Sequence, residues 1–325
     1  MYKKDKSLVL KGSTSALANN LSVLVNLEKS TINYAVVHKS AVNVVSMSMD
    51  GSTVNHRQVA CKEPSATSAS MILQARLVAM EGRTILVFAS QKGIQMYEAD
   101  GSIMLYWYAL GDLVANDADA CFGRGICGVQ SDTICIGTHS GEIHVFHIPA
   151  KGTNITMSET LKGHRRAICD LESADQRMVS SDDSGTVILW KQVGESFQQV
   201  LSIPGSGAPC TSAALWNDAI LAGYATGHLR IFSASSGNLS AEATAHTRCI
   251  TAVNVSKSGQ VISVAEDSWV RIWKLKSGSM PSIEHVWSEA VTDVQLQGGK
   301  FIDASAKAFV LTGYDSNSLH FYSTV

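Results

Sequence analysis

The chain has 325 residues, 45% of them hydrophobic and 17% charged, which is ordinary for a globular protein. Its 26 basic and 28 acidic residues nearly balance, whereas nucleic-acid binders are usually clearly basic. No stretch approaches the roughly 20 apolar residues of a membrane span, and the N-terminus lacks the apolar run of a secretory signal. Most of the seven cysteines lie in apolar, strand-like runs, which predicts reduced core residues in the cytosol.

One short phrase recurs along the chain: a turn of small residues, followed by a strand that ends in an aromatic or β-branched residue. The clearest copy reads AEDSWVRIW. The seven copies end at Val45, Tyr97, Phe146, Trp190, Phe232, Trp273 and Tyr322. A spacing of roughly 40–50 residues, with short strands between turns, is typical of propeller blades. A helical solenoid would show a 3.6-residue period instead.

These repeats predict an all-β fold, a single seven-bladed β-propeller with four-stranded antiparallel blades. The predicted blades cover residues 14–60, 70–115, 119–163, 164–205, 209–245, 246–288 and 289–325. Blade seven ends after its third strand, so its outermost strand must come from elsewhere in the chain. Residues 7–12 resemble the end of blade three. We expect them to pair with Leu319–Ser323 and to close the ring, because an open sheet edge invites aggregation.

Blade six carries a regularly spaced set of polar residues around its terminal tryptophan. The set is His246, Ser263, Asp267 and Trp273. A buried indole N–H needs an acceptor, and a serine that accepts it can be linked through histidine to aspartate, so that every polar group is paired. Blade four has a partial set. Its members are His164, Ser180 and Trp190, with Ser184 at the position of the aspartate and Asp183 beside it.

These sets resemble the structural tetrad of WD-repeat propellers, although lysine follows both tryptophans and no WD dipeptide occurs. Further segments resemble one branch of this family over essentially the whole chain. They are NNLSVL (19–24), GIQMYE (93–98), RGI (124–126), IPAKG (148–152), AGY (222–224), AEDSWVRIWKL (265–275) and LTGYD (311–315). The resemblance implies a cytoplasmic interaction scaffold that associates with vesicles or membranes through its partners and takes part in growth-factor signalling.

Ser263, His246 and Asp267 are also the residue types of a hydrolase triad. The serine lies mid-strand between apolar residues rather than on an exposed nucleophile elbow, so we favour the structural role. Carboxylate pairs such as Asp182-Asp183 occur in turns, where aspartate is favoured for turn geometry. We therefore predict no enzyme activity, with a hydrolase-like propeller enzyme as the alternative.

Metal and cofactor sites find little support in the sequence. The one tight histidine pair is His144 and His147, and residues three apart on a strand point to opposite faces. No phosphate-binding glycine loop occurs. We predict no metal and no cofactor.

The turns between second and third strands should lie on one face of the ring, together with the loops that lead into each first strand. We call this the top face. It should carry a mixture of arginines, acids and tyrosines: Arg165, Arg166, Arg248, Asp182, Asp183, Tyr224, Glu266, Tyr314, Asp315 and His139. Tyrosine and arginine are over-represented among interface hot spots, so the sequence predicts a non-catalytic scaffold that binds a protein or peptide. A nucleic-acid or phosphoinositide reader is the other alternative, and an uncharged or acidic top face would argue against it.

Overall fold

The computed structural model describes residues 1–62, 70–111, 121–278 and 280–324. Within these ranges the regular elements are β-strands, and no helix is long and apolar enough to cross a membrane. The strands form seven antiparallel sheets. The first strand of each sheet packs on that of the next, and the last packs on the first, so the sheets are the blades of a closed ring. The predicted boundary between blades two and three, at 115–119, lies outside the described residues.

Two short strands precede the first blade: β1 (Tyr2–Lys4) and β2 (Leu8–Val9). Blade one contains β3 (Leu21–Asn26), β4 (Thr31–His38), β5 (Ala41–Ser48) and β6 (Val54–Ala60). Blade two contains β7 (Ile72–Met80), β8 (Arg83–Ser90), β9 (Gly93–Glu98) and β10 (Met104–Ala109). Blade three contains β11 (Gly123–Val129), β12 (Thr133–Thr138), β13 (Glu142–His147) and β14 (Thr156–Lys162).

The remaining blades follow in chain order. Blade four contains β15 (Ile168–Ala174), β16 (Arg177–Asp182), β17 (Val187–Val193) and β18 (Ser196–Ile203). Blade five contains β19 (Cys210–Trp216), β20 (Ala219–Tyr224), β21 (His228–Ser233) and β22 (Leu239–Thr244). Blade six contains β23 (Ile250–Val255), β24 (Gln260–Ala265), β25 (Trp269–Lys276) and β26 (Ser282–Ala290). Blade seven contains β27 (Leu296–Phe301), β28 (Ala308–Gly313) and β29 (Ser318–Thr324).

The hydrophobic core lies between the blades rather than at the centre of the ring. In the described residues, one cluster of buried side chains lies between each pair of neighbouring blades. Successive side chains of a strand point to opposite faces, so one strand serves two clusters. In β9, Tyr97 packs against blade one, while Met96 packs against blade three. This alternation explains why the repeat phrase has branched and aromatic residues at alternate positions.

The N-terminus closes the ring, as the sequence predicts. Strand β29 pairs with β28 on one side and with β1 and β2 on the other, with Leu8 opposite Leu319 and Tyr2 opposite Thr324. The closing segment therefore begins earlier than residue 7. The ring of Tyr2 packs against Phe309, with centroids 5.0 Å apart, and against Trp287 of blade six at 5.3 Å. Closure thus combines strand pairing with burial of an aromatic side chain.

Removing residues 1–12 should destabilise the ring, because the edge of β29 and the rings around Tyr2 would be exposed. We expect the melting temperature to fall by about 10 °C or more, or the protein to become insoluble.

Tyr2→Ala in the full chain should lower the free energy of unfolding by about 3 kcal/mol, as for other buried aromatic residues. The matched control is Lys3→Ala, an exposed residue of the same strand. Thermal melts followed by circular dichroism test this, and an unchanged curve for the deletion would refute the closure.

Candidate interaction surface

Backbone hydrogen bonds of one kind define the top face. In each blade an N–H at the end of the second strand or just after it donates to the carbonyl that precedes the first strand, at 2.7–3.1 Å. The donors are Val37, Gln91, His139, Asp183, Ala225, Glu266 and Tyr314. These bonds hold the turns and the loops of the top face together. In blade seven the residue equivalent to Glu266 is Tyr314 rather than Asp315, because the segment that follows is one residue longer.

The structure places most of the predicted surface residues in contact with solvent. Six are exposed: Arg165, Arg166, Arg248, Asp183, Tyr314 and Asp315. Two are half-buried: His139 and Glu266. The remaining two, Tyr224 and Asp182, are buried. The accessible surface therefore lacks two of the residues that the sequence suggested.

Tyr224 does not belong to the accessible surface, contrary to expectation. Its side chain is only 2% exposed and packs in the cluster between blades four and five. The Arg230 guanidinium lies 4.8 Å from the ring centroid and covers it. Burial raises the pKa of the phenol well above its usual value. The residue ends strand β20, whose side chains are all buried, and the alternation along that strand directs it toward blade four.

Asp182 completes the polar set of blade four, which the sequence suggested was partial. Its Oδ2 lies 2.8 Å from Nδ1 of His164, and Nε2 of His164 lies 2.6 Å from Ser180 Oγ. The indole N–H of Trp190 donates to the same serine oxygen at 2.8 Å. The other carboxylate oxygen of Asp182 accepts the N–H of Ser184, which ties the turn to the set. In blade six the position equivalent to Asp182 is Ala265. The aspartate of that set, Asp267, lies two residues further along the turn.

The blade-six set has the geometry of a closed hydrogen-bonded chain. His246 Nδ1 lies 3.1 Å from Asp267 Oδ1, and Nε2 lies 2.9 Å from Ser263 Oγ. Burial alone would raise the pKa of Asp267, but His246 and two backbone N–H groups lower it to about 2. A carboxyl whose pKa is depressed on folding contributes stability above its unfolded pKa of about 4, and this contribution is lost as the pH falls toward 2.

In the same geometry Ser263 is inaccessible to a substrate. Its side chain is fully buried, and its oxygen accepts the indole N–H of Trp273 at 2.9 Å. A nucleophilic serine must be exposed and close to donors that stabilise the oxyanion. The serine therefore serves the fold.

The described ranges also contain no arrangement of side chains that suits a metal ion. No group of three or more histidine, cysteine, aspartate or glutamate side chains in them is placed to hold an ion. His144 is buried and contacts Thr160 Oγ1 at 3.2 Å, while His147 is exposed and lies 3.8 Å from Asp132.

The top face also carries an exposed tryptophan that the repeat pattern does not single out. Trp269 is 37% exposed, and the guanidinium of Arg271 lies 5.0 Å from its ring centroid. A backbone bond from Val291 to Ser268 starts a short loop beside this tryptophan, and the bond from Tyr314 to Gln295 ends the loop. Tyr314 is 51% exposed, so two aromatic side chains flank one loop. The available signal was a tryptophan in a place where other blades carry small or polar residues.

The chain itself covers the top of the central channel. The segment of residues 15–20, which we call the plug, leads from the closing strand into β3. Asn19 adopts φ 55°, a left-handed conformation that asparagine tolerates, and its N–H donates to Thr251 O of blade six. Its amide Nδ2 donates to Asp170 of blade four at 2.8 Å and to Ser212 of blade five at 3.0 Å. Because blades four and five lie opposite blade one in the ring of seven, the plug crosses the channel.

A cluster of charged side chains lines the channel beneath the plug and surrounds a cavity of about 180 Å³. Glu172 is 2.5 Å from Arg76 of blade two and 3.7 Å from Lys300 of blade seven. Burial acts to raise the pKa of Glu172, but the two cations outweigh it and lower the pKa. Asp170 has no ion pair among the described residues, and burial raises its pKa. The cluster joins strands on different sides of the ring, so it braces the channel.

The comparisons with known proteins agree with this architecture. The WDR54 family model matches residues 1–325. The chain belongs to the WDR54 family. It is 39% identical to the mouse and human proteins named WD repeat-containing protein 54, over 337 aligned residues and the full length of each chain. A rat protein named WD repeat domain 54 is 39% identical over 97% of both chains. The segments that resembled one branch of the WD-repeat family therefore indicated the right lineage.

Solved structures support the fold of this WDR54-family chain. A chain of the "Crystal Structure of Mitotic Checkpoint Complex" has a TM-score of 0.74 at 16% identity, with 99% of this chain and 92% of that chain covered. The "Structure of U3-55K" has a TM-score of 0.74 at 19% identity, with 98% of both chains covered. Identities this low show the propeller fold alone. The family suggests a protein-interaction scaffold, and WD-repeat propellers are generally not enzymes.

Asp182→Ala should lower the free energy of unfolding by about 2–3 kcal/mol, because it leaves a buried imidazole and a turn N–H without acceptors. The neighbouring Asp183→Ala is the matched control and should change it by less than about 0.5 kcal/mol, since Asp183 is exposed. Urea denaturation measures both values. Equal losses for the two variants would contradict the assignment of Asp182 to the polar set.

Asn19→Ala should also destabilise the ring, by about 1–3 kcal/mol, because the buried Asp170 carboxylate loses a donor. Asn238→Ala, at an exposed turn of blade five, should have an effect below about 0.5 kcal/mol. Differential scanning fluorimetry and urea titration of both variants give the comparison. A loss for Asn19→Ala no larger than that of the control would show that the plug does not brace the channel.

Proposed function

We propose that this chain is a non-catalytic scaffold that binds a protein partner through the top face of blades four to seven. The observation that carries the proposal is the exposed pair Trp269 and Tyr314, on either side of one short loop. Tryptophan, tyrosine and arginine are the residues most enriched at interface hot spots. Arg271 stacks against Trp269, so the indole is held in place and presents ring surface to solvent.

The top face is rigid, which favours recognition by complementarity. Gly227 adopts φ 83°, and a Cβ added there would lie 2.0 Å from His246 O of the next blade. The turn of blade five and the loop into blade six are therefore in direct backbone contact. Surfaces that are ordered before binding lose less conformational entropy when they associate.

The burial of two serine–histidine–aspartate sets supports the non-catalytic part of the proposal. The one serine–histidine–aspartate set of blade six is buried, and its serine oxygen is engaged by Trp273. The related set of blade four has the same arrangement, with Trp190 as the donor to Ser180. Both sets stabilise blades and offer no substrate a reactive oxygen.

We further propose that the protein resides in the cytoplasm. There it would attach to vesicles or membranes through its partners and take part in growth-factor signalling. The support is the family resemblance, together with buried thiols at Cys127, Cys135 and Cys210 that suit a reducing compartment. Recovery of the partners from the cytosolic or from the membrane fraction tests this part of the proposal.

Affinity purification with the Trp269→Ala/Tyr314→Ala variant tests the surface. We expect partners that copurify with the wild type to fall by tenfold or more, because two central aromatic contacts are lost. The matched control is Leu239→Ala/Val286→Ala, which removes two exposed apolar side chains from the outermost strands of blades five and six. The control should retain the partners. Identical partner sets for the wild type and the aromatic variant would refute the choice of surface.

A further inference from the structure

Six of the ten arginines have no ion pair in the described part of the chain. Two of them are Arg177 and Arg271, and the other four lie at the top of the ring. They are Arg124, Arg165, Arg166 and Arg248. In the described part of the chain none of them has a carboxylate within ion-pair distance, and none donates a side-chain hydrogen bond. By contrast, four other arginines have a carboxylate oxygen 2.5–3.3 Å away: Arg57, Arg76, Arg83 and Arg230. The top-face arginines thus retain their full capacity to bind an anion.

Arg124 belongs to blade three, at the end of β11 nearest the top face. It is half-buried at the start of β11. Burial raises the pKa of the Cys169 thiol in blade four and of the Cys249 thiol before blade six, and the positive charge of Arg124 acts on both in the opposite direction. Arg165, Arg166 and Arg248 lie on the loops that lead into blades four and six.

The main chain beneath the exposed arginines is held in place. A Cβ added to Gly141 would lie 2.8 Å from Arg166 O, and one added to Gly227 would lie 3.0 Å from Arg248 O. The loops of blades four and six therefore pack directly on the preceding turns. Such anchoring limits the loss of freedom on binding to the side chains themselves. Guanidinium groups that point into solvent from a fixed backbone can meet carboxylate or phosphate oxygens in a bidentate manner.

Acidic residues in the turns beside the arginine loops limit what kind of anion fits. Asp183 is exposed in the turn of blade four, and Glu266 is half-buried in the turn of blade six. A continuous polyanion such as RNA would bring phosphates against these carboxylates, and like charges in close proximity disfavour binding. A peptide can space its acidic side chains and place other groups opposite Asp183 and Glu266.

We infer that the partner presents an acidic peptide segment, carrying carboxylate or phosphate side chains, which lies across the plug between blades four and six. The plug crosses the channel, so the segment would rest on the plug rather than enter the channel. The inference rests on the proposed function and adds the chemistry of the partner. The aromatic pair on blades six and seven would then contact apolar residues beside the acidic segment.

Fluorescence anisotropy with labelled 12-residue peptides tests the inference on the purified full chain. The probes are an alternating Glu–Gly peptide, its Gln–Gly counterpart and its phosphoserine–Gly counterpart. We expect the Glu peptide to bind at least about tenfold tighter than the Gln peptide at low salt, and to weaken as salt is added. Arg165→Glu/Arg166→Glu should weaken binding by about tenfold or more. Arg177→Glu/Lys191→Glu, on the opposite end of blade four, should stay within about twofold of the wild type.

Equal affinities for the Glu and Gln peptides would overturn the inference, as would equal losses in the two charge-reversed variants. Tighter binding of the phosphoserine peptide than of the Glu peptide would support it and assign phosphate as the natural anion. A single-stranded 12-nucleotide RNA that binds more tightly than either acidic peptide, and is lost in Arg165→Glu/Arg166→Glu, would replace the peptide with a nucleic acid. If Trp269→Ala/Tyr314→Ala loses its protein partners while Arg165→Glu/Arg166→Glu keeps them, the proposed function stands and the inference fails.

Discussion

The pairing of the N-terminal segment with the last strand is the constraint on which the rest of the structure depends. Each blade buries its apolar faces against two neighbours, so a ring with an unpaired edge would leave hydrophobic surface and backbone groups exposed. Strands β1 and β2 supply the missing edge, and Tyr2 seals it among aromatic rings. The same stretch of chain then crosses the channel, where Asn19 bonds to blades four, five and six. One continuous segment thus closes the ring and braces its centre.

This arrangement also shapes the surface available to partners. With the channel mouth covered, recognition is directed to the loops around it. Backbone bonds hold these loops, so the exposed arginines and the pair Trp269 and Tyr314 have fixed origins. Side chains with fixed origins and free ends suit an interface that forms by complementarity rather than by folding on binding. The charged residues beneath the plug pair with one another within the ring.

The polar sets of blades four and six show how a degenerate repeat can keep its fold. Both sets place a serine between an indole and a histidine, although the aspartate occupies different turn positions. In blade two other residues provide the partner for the buried polar group of the aromatic residue. Gln95 Oε1 accepts the hydroxyl of Tyr97 at 2.6 Å and the N–H of Lys62 at 3.1 Å. What these three blades share is a hydrogen-bond acceptor for the polar group of the aromatic residue that ends the repeat phrase, and different side chains provide it.

The spacing of the strands in the sequence predicts the propeller and the number of its blades, and the blade that lacks one strand predicts closure by the N-terminus. The sequence also placed Arg165, Arg166 and Arg248 in the loops of one face. Only the tertiary structure decided that Asp182 and Tyr224 are buried, since the direction of a side chain at a strand end depends on the local turn. Only the tertiary structure brought Asn19 across the channel and Trp269 beside the loop that ends at Tyr314. Such contacts join residues far apart in the chain, and no local pattern encodes them.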